Sequence, residues 1–133
     1  MPNNVFSQTA LCGTYINNQI ALGLKDGTIQ IFSRDGFNIA TLKEQKANIC
    51  SLAVIRSGNQ NYLVSGSDAG CSRVVVWDPV TWQPRHVFGG HTAAVTGIVD
   101  LQDGVHFVSA GYDKKLNIYS LEQGKLVYEA PQC

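Results

Sequence analysis

Charge is scarce in this sequence, and what there is cancels. Charged residues make up 15% of the 133 positions, ten basic against ten acidic. A nucleic-acid or anionic-membrane footprint should show as a basic excess, so neutrality argues against both partners. The lysines scatter (Lys25, Lys43, Lys46, Lys114, Lys115, Lys125) and form no run. Long apolar stretches are missing as well, and the longest run is far too short to cross a bilayer. The opening MPNNVFSQTA has neither a basic start nor an apolar core, so no signal peptide is expected. No Asn-x-Ser/Thr sequon occurs.

The four cysteines, Cys12, Cys50, Cys71 and Cys133, form no C-x-x-C pair, and no His-x-x-x-His accompanies them. They read as reduced thiols of an intracellular protein, cytoplasmic or nuclear, rather than as metal ligands or disulfides. Cys12 and Cys50 sit among strand residues and look like small core fillers. No cofactor signature is present. The Gly-rich run from Gly66 to Gly70 lacks the lysine and following helix of a phosphate cradle, so it reads as a turn. Helical periodicity is also absent, since no window of a dozen residues carries it.

What the sequence does hold is a repeat. Gln19 to Ser33 reads QIALGLKDGTIQIFS, Tyr62 to Asp78 reads YLVSGSDAGCSRVVVWD, and His106 to Ser120 reads HFVSAGYDKKLNIYS. Aligned on the aromatic near each end, Phe32, Trp77 and Tyr119 fall in register. Apolar content of 44% is enough for a core, and it comes in short stretches bounded by Gly, Asn, Asp and Ser. Strands are predicted near 10–15, 20–24, 29–33 and 38–42, then near 49–55, 62–67, 73–78 and 85–88, then near 95–101, 106–110, 116–120 and 126–129. Turns are expected at Lys25-Asp26-Gly27, Arg34-Asp35-Gly36, Gln102-Asp103-Gly104 and Glu122-Gln123-Gly124. Pro79 and Pro84 bracket an outer turn, where a missing ladder donor is tolerated.

A period of about 40–45 residues with four short strands per unit marks a β-propeller blade. The fold class is therefore all-β, with three four-stranded antiparallel blades over about 5–44, 45–89 and 90–130. No spare strand remains to share a blade between the termini. One blade cannot bury its own faces, and propellers typically have about four to eight. Three should not close as a monomer.

Particular residues sharpen this. Trp77-Asp78 ends a third strand, Gly90-His91 precedes a first strand, and Ser-Gly-Ser at 65–67 and Ser-Ala-Gly-Tyr-Asp at 109–113 lie in and after second strands. The pattern resembles the WD40 repeat, Gly-His, then Ser/Thr, then Asp, then Trp-Asp, over nearly the whole chain. The resemblance implies a hydrogen-bonded network inside the blade made of His91, Ser109, Asp113 and Tyr119. Counting six back from the aromatic gives Asp26 in unit one as the equivalent aspartate. In unit two Trp77 is the aromatic, but the same count lands on Cys71 and the turn carries two extra residues. Leu22 replaces the Ser/Thr of unit one, and Gln45 stands where a His would precede unit two.

His91, Ser109 and Asp113 also make a Ser/His/Asp set. No G-x-S-x-G elbow supports a hydrolase, so the set reads as structural and the chain as a non-enzyme. His86 and His106 have no second ligand nearby. Trp82 is expected at or near a turn, packed under the outer strand or exposed as an anchor.

The resemblance further implies a protein-interaction scaffold that binds proteins or peptides on one narrow face. Carried over, that face comprises Lys25, then Lys46 and Asn48, then Thr92, Ala94 and Tyr112, with the enlarged turn from Asp68 to Arg73. Tyr112 is the strongest anchor candidate. Two other readings stay open: a partial ring that completes a propeller with another copy or chain, and, less favoured, a hydrolase using His91, Ser109 and Asp113.

Overall fold

A computed structural model describes residues 10–43, 49–67, 73–89 and 93–131 of the chain. It holds twelve strands and, among the described residues, no helix. The first sheet contains β1 (Ala10–Ile16), β2 (Gln19–Leu24), β3 (Ile29–Ser33) and β4 (Asn38–Leu42). The second contains β5 (Ile49–Ser57), β6 (Gln60–Ser67), β7 (Val74–Trp77) and β8 (Pro84–Phe88). The third contains β9 (Val95–Asp100), β10 (His106–Gly111), β11 (Lys115–Ser120) and β12 (Lys125–Pro131). Each sheet is an antiparallel meander in chain order.

The three registers repeat. Ser65 faces Val75 across β6 and β7, as Leu22 faces Gln30 and Ser109 faces Asn117 in the other sheets. Every innermost strand is kinked at the same place, between Ala10 and Cys12, between Ile49 and Ser51, and opposite Ala110 and Gly111. A bulge there adds twist and lets the inner strands converge. Each third-to-fourth strand pair slips once, and Pro84 enters the ladder at that slip opposite Trp77. An outer strand tolerates its missing N–H.

The sheets stack face to face, with β5 packed between β1 and β9. Side-chain alternation assigns each face. On β7, Val75 and Trp77 join a core with Ile16, Ile29, Ile31 and Ile49, between sheets one and two. Val74 and Val76 point the other way, into a core with Phe88, Val95, Phe107 and Tyr119 between sheets two and three. All four residues of β7 are buried. That is why the central strand reads as an unbroken apolar run.

The stack is open. On the outer face of sheet three, Val99, Val108, Ile118 and Tyr128 pair in one row across the sheet. Val99 is 59% exposed and Tyr128 58%. No further sheet among the described residues covers them.

Turn chemistry follows the sequence with two exceptions. Gly27, Gly36, Gly104 and Gly124 all adopt positive φ, as their turns require. At the equivalent of Gly27 the third sheet places Lys114, at φ 64°, and at the equivalent of Gly36 and Gly124 the second places Trp82, at φ 55°. The first hairpin turns on Asn17 and Asn18, both at positive φ, the pairing that matches strand twist.

Candidate binding face and its supporting network

The interior of sheets two and three carries matched polar pairs. The indole N–H of Trp77 donates to Ser65 Oγ at 3.0 Å, with both side chains buried. In sheet three the hydroxyl of Ser109 donates to the Tyr119 oxygen at 3.2 Å, and the Asn117 amide donates to it at 3.1 Å. The Tyr119 hydroxyl then reaches the Gly89 carbonyl at 3.5 Å, in the segment before β9. These groups sit in the core, where an unmade bond costs its full desolvation. Phe88, Phe107 and Tyr119 enclose them, with the Phe107 and Tyr119 rings stacked at 5.0 Å. Sheet one has Leu22 and Phe32 at these places and so cannot make the bond.

The two turn aspartates differ. Asp113 is half-buried, and its carboxylate accepts the Lys115 N–H at 3.1 Å. Asp26 is exposed and accepts both the Thr28 N–H at 3.0 Å and the Thr28 hydroxyl at 2.7 Å. The Thr28 hydroxyl is the main cause holding its carboxyl below the usual range. Asp26 thus closes a surface turn and has no place in a buried network like that of Ser109 and Tyr119. The reason lies in Leu22 and Phe32, which offer no polar atom to tie it inward. His91, the remaining candidate for the network, lies outside the described residues.

Three of the expected contact residues, Lys25, Arg73 and Tyr112, lie on the turns between second and third strands. Lys25 and Arg73 are exposed there. Arg73 is anchored by its backbone, which donates to Ser67 Oγ at 3.1 Å and accepts the Ser67 N–H at 3.2 Å. Tyr112 is 77% exposed, yet its N–H donates to the Ala94 carbonyl at 3.0 Å. The ring is free while its backbone is fixed to the loop before β9. Ala94 itself is buried and contributes only this carbonyl. Lys46, Asn48, Asp68 and Thr92 lie outside the described residues.

Other candidates resolve differently. Trp82 is half-buried and packs against the core between sheets one and two. His106 sits beside Asp103, Nδ1 to Oδ2 at 2.7 Å. Hydrogen bonds from His106 and Val105 bring the Asp103 carboxyl down to about 2. No cluster of three or more His, Cys, Asp or Glu side chains gathers among the described residues. His86 hydrogen-bonds the Leu121 carbonyl through Nε2 at 3.1 Å. Burial pushes its pKa below 6.5, and the charge of Arg85 adds to this. Sequence reasoning did not foresee that interblade bond, because the period gives no sign of what lies across an interface. The opposite end of the stack holds a groove between sheets two and three lined by Arg56, Gly58, Asp100, Gln102 and Gly104.

Converging four-stranded meanders stacked face to face define blades of a β-propeller. The model of the WD domain, G-beta repeat, matches residues 36–78 and 82–120, and the chain belongs to this WD40 family. Each match takes in the outer strand of one sheet and three strands of the next, so the sequence repeat is offset from the sheets by one strand. The chain is 26% identical over 128 residues to autophagy-related protein 16 of Arabidopsis thaliana, covering 92% of this chain and 24% of that protein. It is 31% identical over 103 residues to the human F-box-like/WD repeat-containing protein TBL1X, covering 77% of this chain and 17% of that protein. Among solved structures it resembles U3-55K, with a TM-score of 0.79, 20% identity, and coverage of 96% of this chain and 40% of that one. The RRP9 WD40 repeats give 0.78 and 19%, covering 95% and 39%. The chain therefore spans less than half of each of these proteins. No helix among the described residues is long and apolar enough to cross a membrane.

Proposed function

We propose that this WD40 segment is a non-catalytic protein-interaction scaffold that binds a protein or peptide on the face carrying Lys25, Arg73 and Tyr112, together with Lys46, Asn48, Asp68 and Thr92. The observation that carries the reading is Tyr112, 77% exposed on a turn tied to Ala94. An exposed aromatic on a fixed backbone loses little conformational freedom on binding. Loops held by a rigid sheet are where contacts remain free once strand faces are used in stacking. The buried state of Ser109, whose hydroxyl is spent on Tyr119, supports the non-catalytic role of His91, Ser109 and Asp113. An active-site-directed serine probe should leave the chain unlabelled. Neutral charge disfavours nucleic acid, and a cysteine spacing without C-x-x-C pairs supports an intracellular setting, cytoplasmic or nuclear.

The test is affinity capture with wild type and Tyr112→Ala, followed by titration of each partner recovered. Tyr112→Ala should weaken binding by about 1–2 kcal/mol, the scale of an anchor residue, and leave the melting temperature unchanged. Retained affinity in that variant, with loss on changes around Trp82 instead, would move the binding surface to the rim and overturn the reading.

A second reading has its own support. The apolar row Val99, Val108, Ile118 and Tyr128 on the open face of sheet three is of the kind hidden by association. On this reading the segment completes a propeller with another copy or chain.

A further inference from the structure

The sequence contains three Asp-Gly steps, Asp26-Gly27, Asp35-Gly36 and Asp103-Gly104, and no Asn-Gly step. Such a step has a chemistry of its own. Glycine has no side chain to shield its amide nitrogen, so that nitrogen can attack the aspartate side-chain carbon and close a five-membered imide ring. In all three steps the glycine takes positive φ, at 92°, 90° and 80° in chain order, as tight turns require. Sequence and backbone thus treat the three alike. Their carboxyls differ.

At Asp26, Oδ1 accepts the Thr28 hydroxyl at 2.7 Å and the Thr28 N–H at 3.0 Å. Gly27 is buried, and its N–H donates to the Leu24 carbonyl at 3.2 Å. At Asp103, Oδ1 accepts the His106 and Val105 N–H groups at 2.8 and 2.9 Å, and Oδ2 meets His106 Nδ1 at 2.7 Å. That turn is also pinned at the second seam, between sheets two and three, where Ser57 Oγ donates to the Gly104 carbonyl at 2.8 Å. Hydrogen bonds hold both carboxyls below the usual range, Asp103 at about 2. A carboxylate kept anionic on several donors is a poor electrophile. It must also leave those donors before its carbon reaches the glycine nitrogen.

Asp35 has no such tether. It is exposed, and its carboxyl accepts no hydrogen bond among the described residues. It lies on the hairpin joining β3 to β4, beside the exposed Arg34 and two residues before Phe37, which is 58% exposed. The Gly36 N–H donates to the Ser33 carbonyl at 3.0 Å. Gly27 makes the same turn bond, so that bond does not separate Asp35 from Asp26. The Gly104 N–H has no partner among the described residues. Asp103 would therefore react first if amide availability, rather than carboxyl tethering, set the rate.

We propose that Asp35 is the site at which this chain rearranges to isoaspartate, through a succinimide formed with Gly36. The Gly36 amide nitrogen bonds to Asp35 Cγ, and the carboxyl hydroxyl leaves as water with the amide proton. Water then adds to the Asp35 main-chain carbonyl carbon, and the bond from that carbon to the Gly36 nitrogen breaks. The nitrogen keeps its bond to Cγ and regains a proton. Mass is unchanged, and the main chain now runs through the Asp35 side chain with one methylene more. The added length falls in the hairpin where the Ser33 N–H donates to the Phe37 carbonyl at 2.9 Å, at the end of β3 opposite the Lys25 turn.

The chain is incubated at physiological temperature and near-neutral pH, then digested. Isoaspartate is located by electron-transfer fragmentation and counted independently by carboxyl methyl transfer from S-adenosylmethionine. It should accumulate at Asp35 at least about tenfold faster than at Asp26 or Asp103, since each tethering bond adds to the barrier. Short peptides spanning the three steps should form it at comparable rates, because they lack the fold that sets the steps apart. Asp35→Glu keeps the charge but closes a five-membered ring no longer, and should remove the signal while the circular dichroism spectrum stays unchanged. Equal yields at the three steps, an excess at Asp103, or no isoaspartate at Asp35 would overturn the proposal. So would peptides that rank the steps as the folded chain does, since the fold would then decide nothing.

Discussion

The hydroxyl of Ser109 and the phenol of Tyr119 meet at 3.2 Å in the core of sheet three, at the places where Ser65 and the Trp77 indole meet at 3.0 Å in sheet two. The aromatic changes and the bond persists with its direction reversed. Trp can only donate, so serine accepts. Tyr accepts from serine and keeps its own proton for the Gly89 carbonyl. Tyr119→Phe should therefore cost about 1–3 kcal/mol, because it leaves the buried Ser109 and Asn117 donors without their acceptor. Chemical denaturation checks the value, and a loss as small as that of a surface change would remove the pair from the list of stabilising contacts.

The turn aspartates should separate in the same experiment. Asp113→Ala is expected to cost about 2–3 kcal/mol, because a half-buried carboxylate bonded to Lys115 is removed from beside the core. Asp26→Ala should cost clearly less, since the Asp26 carboxylate is exposed and its partners belong to the neighbouring Thr28. Equal, small losses would show that Asp113 is a surface turn residue like Asp26.

The repeat was legible in the sequence because it is written in side chains that recur in register: Phe32, Trp77 and Tyr119, and the turn glycines. Periodicity reports what each strand does within its own sheet. It placed all twelve strands and left only their ends displaced. It also suggested Asp26 as an equivalent of Asp113, since the count of six back from the aromatic is blind to burial. Leu22 already carried the signal that sheet one lacks a polar interior. Contacts between sheets, such as Cys12 with Ile49 or His86 with Leu121, join residues about 35 positions or more apart. Composition and spacing contain no term for them.

Seam geometry predicts an asymmetry among glycines. Gly66→Ala should cost about 1–3 kcal/mol, because its methyl would stand 2.6 Å from Ser51 Oγ and 2.7 Å from Val95 Cγ1 and must push two sheets apart. Gly97→Ala should be neutral or slightly stabilising, since nothing lies within 4 Å of its Cβ position. Thermal melts of the two variants decide it, and a similar loss at both would mean the sheets yield more easily than their packing indicates.

Lys114 and Trp82 hold backbone conformations that glycine holds in sister turns. Lys114→Gly should stabilise by about 0.5–1 kcal/mol, because Lys114 occupies φ 64° at the place of Gly27 and its side chain is exposed. Trp82 also sits at positive φ, but its ring covers the core between sheets one and two. Trp82→Gly should therefore destabilise through lost burial, yet by about 1 kcal/mol less than Trp82→Ala, which loses the same ring and keeps the backbone strain. Identical stabilities for the Gly and Ala variants would show that the turn carries no strain.

The bond across the second seam makes stability depend on pH near neutrality. His86 projects from β8 with its Nε2 against the Leu121 carbonyl and its ring over Gly124, where a Cβ would stand 2.5 Å away. Burial disfavours the protonated ring, and Arg85 repels it further, while the Leu121 carbonyl opposes both. The folded pKa is thus below the 6.5 of the unfolded chain. When the folded pKa of a histidine is lowered, the unfolded state binds the proton first, so stability falls as pH falls. The full contribution is present above 6.5, it declines as pH drops through 6.5 toward the folded value, and below that value it levels off. The wild-type melting temperature should therefore decrease more than that of His86→Gln between about pH 7.5 and 5.5, the range in which histidine titrates. Asp103, whose carboxyl titrates at about 2 in the folded chain, keeps its charge throughout that range and does not mask the effect. Parallel pH curves for wild type and His86→Gln would show that the ring titrates as it does in the unfolded chain and that the seam is open to water.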